Sequence, residues 1–315
     1  MFEGMEYIYE VYKEGSFSRA AANMRISQPS LSASVKRIEE KLGYPIFDRS
    51  TKPLKLTQFG EKYAESMLAI KKIEQDFQEY VNDYGNLKTG TLKIGGTNLV
   101  SSLIAPKLIK LYKERYPSVD TELYEGTTPD LEEMLSEGTV DVVIDYSLPY
   151  NGIFETQKLM AEHLVLTVPA SFPVNERLKK YQVPYNRLNI SFMPEDIPPV
   201  PLSEFRDVPF VLLTKKNDTY KHAARMFLDA GFEPHNVFTA AQQMTAYNVC
   251  CQGMGAAFVS SILLAKISNN PGVVYYRLPP EHSIRQLCLI WKPERYCTKA
   301  AQSFKEMAVK EILKV

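Results

Sequence analysis

The side chains best suited to chemistry are hydroxyls, amides and cations crowded between Ser16 and Thr57. Eight Lys or Arg fall there (Arg19, Arg25, Lys36, Arg37, Lys41, Arg49, Lys52 and Lys55), opposed only by Glu39, Glu40 and Asp48. The chain as a whole holds 37 basic and 37 acidic residues, so a basic segment sits on a neutral protein. Where charge lies says more about partners than its sum does. Ser27-Gln28-Pro29-Ser30, then Ser32, Lys36 and Arg37, form a polar run with basic flanks. Side chains of this kind read base edges in a major groove, while neighbouring cations hold phosphates.

No comparable set points to catalysis. His163, His222, His235 and His282 are scattered without metal-ligand spacing, and Cys250, Cys251, Cys288 and Cys297 lie far from any zinc pattern. The cysteines read as reduced thiols, with Cys250-Cys251 as small apolar residues of a buried helix rather than a redox or metal sensor. Gly-x-Ser-x-Gly and HExxH are absent. Gly253-Met254-Gly255-Ala256-Ala257 imitates part of a dinucleotide fingerprint, but it follows a helix and precedes a strand, the reverse of the required order. No cofactor, no metal and no enzymatic activity are expected.

The basic run needs elements to hold it. Phe2–Glu14 reads as a helix with Met5, Ile8, Tyr9 and Tyr12 on one face, stopped by Gly15. Ser16 or Ser18 caps a short helix, Arg19–Met24, whose Ala20-Ala21-Ala22 lets another helix cross closely. Ser27 caps a third helix reaching about Leu42, with Pro29 in its first turn and Leu31, Val35, Ile38 and Leu42 inward. Two helices joined by a tight turn, the second with polar tips, make a helix-turn-helix. Residues 46–57 then read as a short hairpin with apolar ends and a basic tip carrying Arg49, Lys52 and Lys55, which is a wing. A plain helical bundle with a solvated basic face is the alternative, and the wing argues against it.

The stretch SFSRAAANMRISQPSLSASVKRIEEKLGYPIFDRS, followed by LTQFGEKY, closely resembles the signature of LysR-type transcriptional regulators over about the first sixty-five residues. The resemblance implies that the positions of Gln28, Pro29 and Ser32 approach bases, and that the basic residues of the wing touch the DNA backbone. Ala33 stands where the family often has Arg. A linker helix that dimerises is also implied, as is a two-lobed effector domain.

Thr57 caps a long helix from Gln58 to about Tyr84, with Phe59, Tyr63, Met67, Ile70, Ile73 or Glu74, Phe77 and Val81 along one stripe. A solvated helix with one apolar seam has no core of its own and should pair with a second copy. A homodimer or homotetramer meeting a pseudo-palindromic double-stranded DNA operator follows from that pairing. Gly85-Asn86 ends the helix and Lys88-Thr89-Gly90 is the hinge.

From Thr91 onward strand and helix alternate, implying parallel sheet with helices on both faces. The expected fold class is therefore an α/β effector domain of two Rossmann-like lobes, like a periplasmic binding protein, preceded by an all-α winged helix-turn-helix domain. Expected boundaries are 1–57 for the DNA-binding domain and 58–88 for the linker. Residues 91–165 plus 270–315 are expected to form one lobe and 166–269 the other. The Pro-rich stretch between Ser171 and Arg206 is longer than the family usually has.

Ligands on such sheets gather beyond the carboxyl ends of strands. Thr97, Asn98, Thr127, Thr128, Asp145 and Tyr146 fall there, with Thr214 and Gln243-Met244 closing the other side. Hydroxyls and helix N-termini suit a small-molecule effector, with a carboxylate among the groups they would accept. Thr127 and Thr128 have a plainer reading as helix caps. Leu99 stands where the family often has Ser.

The N-terminus has no basic n-region or apolar h-region, and no stretch approaches a membrane span, so a cytoplasmic protein with no membrane partner is expected. A solute-binding protein or an enzyme on the same two-lobed fold is the competing reading. The first leaves the basic N-terminus unexplained, and the second should show a nucleophile or a metal set.

Overall fold

The computed structural model describes residues 2–51, 53–83, 90–146, 152–190 and 193–312. Lys52 of the wing and most of the expected hinge, with Gly85-Asn86, lie outside the described residues.

The first compact unit runs to Val81. It holds α1 (Met5–Glu14), α2 (Phe17–Asn23), α3 (Gln28–Leu42), β1 (Phe47–Asp48), β2 (Lys55–Leu56) and all but the last two residues of the long α4 (Gln58–Asp83). Ser16, not Ser18, caps α2, with its hydroxyl accepting from the Arg19 N–H. Ser27 caps α3 in the same way through the Ser30 N–H, and Pro29 sits in the first turn as expected. Between these helices Arg25 adopts φ 55°, a left-handed conformation that side chains rarely take. Ile8, Val11, Ala20, Ala21, Leu31 and Val35 are buried, so α1, α2 and α3 close around one small core.

The seam of α4 divides in two. Tyr63, Ala64 and Met67 bury into the core of the first unit beside Ile46 and Phe47, and Phe59 packs against it. The near half of the stripe therefore finds its partner within the chain. Farther along, Ile73, Phe77, Tyr80 and Val81 stay exposed.

The second unit, Asn82–Val315, opens with β3 (Thr91–Gly96), α5 (Asn98–Leu103), α6 (Ala105–Arg115), β4 (Asp120–Glu125), α7 (Thr128–Glu137) and β5 (Val142–Asp145). β3 pairs in parallel with both β4 and β5. Gly95-Gly96 completes β3, where a Cβ on either would press against core side chains including Val100, Leu131 and Val143.

From the sequence only Val165–Val168 reads as a strand here, but β6 spans Glu155–Pro169. After it come α8 (Val174–Arg177), β7 (Gln182–Val183), β8 (Pro209–Leu213), α9 (Asp218–Asp229), β9 (His235–Ala240), α10 (Gln243–Cys251), β10 (Ala256–Ser260) and α11 (Ser261–Lys266). β11 (Val273–Arg277), α12 (Pro280–Ser283), β12 (Ile284–Trp291) and α13 (Lys299–Glu311) complete the unit.

Strand order is β4-β3-β5-β12-β6-β10-β8-β9, with β11 also on β6. Residues 155–163 of β6 pair antiparallel with β12, and residues 164–169 pair with β10 and β11. β6 and β12 are thus the strands on which the two halves of the unit meet. β11 falls within the 270–315 stretch expected in the first lobe, yet it pairs with the same half of β6 as β10 does, on its other edge, because the chain returns to the first half only at β12. The Pro-rich stretch is packed, with Val183 in one core and Val174, Leu178, Val200, Leu202 and Phe205 in the other.

Gly60 ties α4 to the wing: a Cβ there would run into the backbone carbonyl of Ile46. That carbonyl also accepts from the Thr57 N–H, so it cannot move freely. Gly60→Ala should therefore lower stability by about 1–3 kcal/mol. Chemical denaturation checks this, and an unchanged midpoint would contradict the packing described.

Candidate DNA interface and effector cleft

On the first unit, Ser27, Gln28, Pro29, Ser30, Lys36 and Arg37 are exposed along α3, and Ser32 is half-buried. Lys36 pairs only loosely with Glu40, at 3.6 Å with both side chains in solvent, an arrangement worth little. Arg49 is more constrained. Its guanidinium donates to Ser32 Oγ at 3.3 Å and Glu39 Oε2 at 3.0 Å, and lies over the Phe17 ring. Glu39 Oε1 accepts from the N–H groups of Ile46 and Phe47 at 2.8 and 3.1 Å. One carboxylate on α3 thus fixes both the start of the wing and its arginine. Lys55 is exposed on β2. An exposed polar helix face beside a basic strand pair is a surface for a polyanion with readable edges.

The second unit holds a cleft of about 280 Å³ at the carboxyl ends of β3, β5 and β8. Thr97, Asn98, Thr127, Thr128, Tyr146, Thr214 and Gln243 all line it, so the sequence placed these seven together. Met244 is not among the lining residues. Their chemistry differs from the expectation in three places. The Gln243 amide is satisfied internally, donating to Thr219 Oγ1 at 2.7 Å and accepting from the Ser260 N–H at 2.8 Å. Thr127 and Asp130 form a capping box, with the Asp130 carboxylate accepting from the Thr127 N–H at 2.8 Å and its hydroxyl at 2.6 Å. Thr128 Oγ1 donates to Asp145 Oδ2 at 2.8 Å, and Thr97 Oγ1 lies 3.5 Å from Asp145 Oδ1. The donors assigned to an effector carboxylate already face carboxylates of the chain itself.

Asp145 is 1% exposed at the end of β5. Burial pushes its carboxyl up to about 6, against the lowering pull of its hydrogen bonds from Thr128 and Tyr146 and the attraction of Arg285. Arg285 on β12 is the cation nearest this logic, and it is almost wholly buried. It forms an ion pair with buried Glu162, its direct cross-strand neighbour on β6, and donates to Asp218 Oδ2 at 3.1 Å and Thr219 Oγ1 at 2.9 Å. The guanidinium also stacks 3.8 Å from the centre of the Tyr146 ring. Glu162 in turn accepts from the Ser260 hydroxyl.

Comparison with known proteins decides the family. Residues 2–61 match the bacterial regulatory helix-turn-helix protein, lysR family. Residues 85–183 and 191–312 match the LysR substrate binding domain. The chain belongs to the LysR family. It is a DNA-binding transcription regulator with an effector-binding domain, and the break in the match, 184–190, falls inside the long Pro-rich stretch.

This LysR regulator is 29% identical over 308 residues to the uncharacterized HTH-type transcriptional regulator YcgK of Bacillus subtilis strain 168, spanning 96% of this chain and 92% of that one. It is 26% identical over 314 residues to a probable RuBisCO transcriptional regulator of Gracilaria tenuistipitata var. liui, covering 96% and 92%. Full-length OxyR from Pseudomonas aeruginosa has a similar fold, with a TM-score of 0.66 at 22% identity over 99% of this chain and 94% of that one. Full-length CbnR complexed with its target DNA gives 0.63 at 18%, covering 98% and 99%.

Sequence reasoning on this LysR chain missed Glu39, Glu162, Asp218 and Arg285, and noticed Asp145 without assigning it a task. A signal existed for two of them. Arg285 is the one charge in β12 and Glu162 stands just before the apolar second half of β6, and an inward charge in a strand demands a partner.

The unfolded chain releases the Asp145 proton near pH 3.9 and the folded chain at about 6. Between those values the folded state binds more protons, so this stabilising contribution is full below pH ~4 and lost as pH rises through about 6. Asp145→Asn should therefore gain, relative to the parent chain, up to about 3 kcal/mol more at pH 8 than at pH 4. Urea unfolding at both pH values checks this, and a pH-independent difference would contradict it.

Proposed function

We propose that the exposed face of α3 reads operator bases in the major groove while the wing contacts phosphates. Gln28 and Ser30 are the readers, with Ser27 and Pro29 shaping the first turn. Lys36, Arg37, Lys55 and Lys52 supply backbone charge. Ser32 and Arg49 act jointly, since the hydrogen bond between them fixes where each can reach. The observation that carries this reading is the fixing of the basic wing beside α3 by Glu39. Ala33 leaves a small side chain on the reading face, so the preferred operator differs from those read by family members with Arg there.

The cleft in the second unit is the effector site, and it senses rather than catalyses. Effector capture shifts activity only if the ligand binds one arrangement of the protein more tightly than another. The regulator works in the cytoplasm, on double-stranded operator DNA, with residues 1–57 as reading head and 58–88 as connector to the two lobes.

The exposed half of the α4 seam supports a homo-oligomer. Ile73 and Phe77 are 67% and 66% exposed, and a second copy would bury them as a helix pair. Two subunits would present two reading heads to a pseudo-palindrome. Phe77→Arg should shift the assembly toward monomer and weaken operator binding. Sedimentation at matched concentrations checks this, and an unchanged mass would contradict the seam's role.

Two further substitutions separate reading from holding. Lys55→Ala should weaken binding to all sequences and lower the salt slope by about one. Gln28→Ala should relax preference at one base step, losing about 1–3 kcal/mol of discrimination. Binding measured over salt and over single-base operator variants resolves the two, and equal loss on every sequence for Gln28→Ala would remove its readout role.

A further inference from the structure

The charged groups around the cleft are unequal. Glu125, Asp130, Asp145 and Asp218 line it on the acidic side, against Lys216 and Arg285. The Arg285 charge is already spent on two carboxylates, Glu162 and Asp218. Asp130 closes the capping box at the start of α7. Neither the buried guanidinium nor that helix start has charge left to offer an anion.

Asp145 is in the opposite position. Its carboxylate is buried, and its side-chain partners among the described residues are the neutral hydroxyls of Thr128 and Thr97. A buried carboxylate without a counter-ion is costly in its charged form, and an arriving cation recovers that cost. A second feature also points to a ligand here. Arg285 lines the cleft with its side chain 1% exposed, and its Nε is buried without a hydrogen-bond partner among the described residues. A donor held that way calls for an acceptor.

We propose that the effector is a small molecule presenting a protonated amine to Asp145 and an uncharged acceptor, a carbonyl or hydroxyl, to Arg285 Nε. This rests on the reading of the cleft as the effector site and names the ligand class. An anionic ligand would add a further negative charge to a site where four carboxylates meet two cations, one of them already neutralised. The amine instead takes the place of the cation that Asp145 lacks, with the Thr128 and Thr97 hydroxyls holding the carboxylate in position. The charged groups bearing on Asp145 act in two directions: Asp218 raises its proton affinity and Arg285 lowers it.

The test uses the purified full-length protein and three sets of size-matched probes. Putrescine, agmatine and leucinamide are the amines; succinate, isocaproate and benzoate are the carboxylates; the corresponding simple alcohols are neutral controls. Thermal stabilisation finds binders and calorimetry measures their affinity, at pH 8 and pH 5. Amines should bind and the carboxylates should not. Amine affinity should fall about tenfold or more in Asp145→Asn, and should fall in the parent chain between pH 8 and pH 5 as Asp145 takes up a proton. The pH arm keeps the test intact if the variant does not fold. Carboxylate binding without amine binding, or amine affinity indifferent to both Asp145→Asn and pH, would overturn the ligand class and leave the effector cleft standing. No binding by any of the three sets would overturn the effector cleft itself.

Discussion

The cleft depends on one buried guanidinium. Arg285 sits directly across from Glu162 in the β6–β12 ladder and reaches the start of α9 through Asp218 and Thr219. It therefore joins strands shared by the two halves of the unit to a helix that belongs to one of them. A buried pair of this kind adds little net stability, because desolvation cancels much of the attraction, but losing one partner strands the other charge. Its larger effect is on register. Slipping β12 by one residue would turn Arg285 to the opposite face and leave Glu162 alone, so the position of Asp145, Thr128 and Thr97 against α9 and α10 follows from that pairing.

The two functional surfaces are built on different principles. The reading head is local: a cap at Ser27, a carboxylate at Glu39 and a hairpin a few residues later assemble it within a short span of chain. Its polar groups are mostly exposed. The cleft is non-local, drawn from strand ends near residues 97, 127, 145, 214, 243 and 285. There most polar groups are engaged with one another, and Arg285 Nε is one that is not.

Legibility followed that difference. The reading head was readable because capping, helix stripes and turn residues act over three or four positions, and the helix-turn-helix leaves them all in one run. In the cleft, strand ends and hydroxyls were the visible signal, and the seven residues named from them do line one cavity. What they bind to was not legible, because Thr128 and Gln243 meet partners distant in sequence. β6 was read short because its first half, Glu155–His163, mixes charged and apolar residues at positions that only pairing with β12 explains. The α4 seam looked continuous because spacing alone does not say which turns find a partner in their own domain.

The central claim is that this chain is a sequence-specific DNA-binding protein. Its most direct test is to present the purified protein, at low ionic strength, with a pool of sheared genomic fragments and to sequence what it retains. The account predicts a small retained set sharing a pseudo-palindromic site whose occupancy falls steeply with added salt. Retention of no fragments, or of all fragments alike, would contradict it.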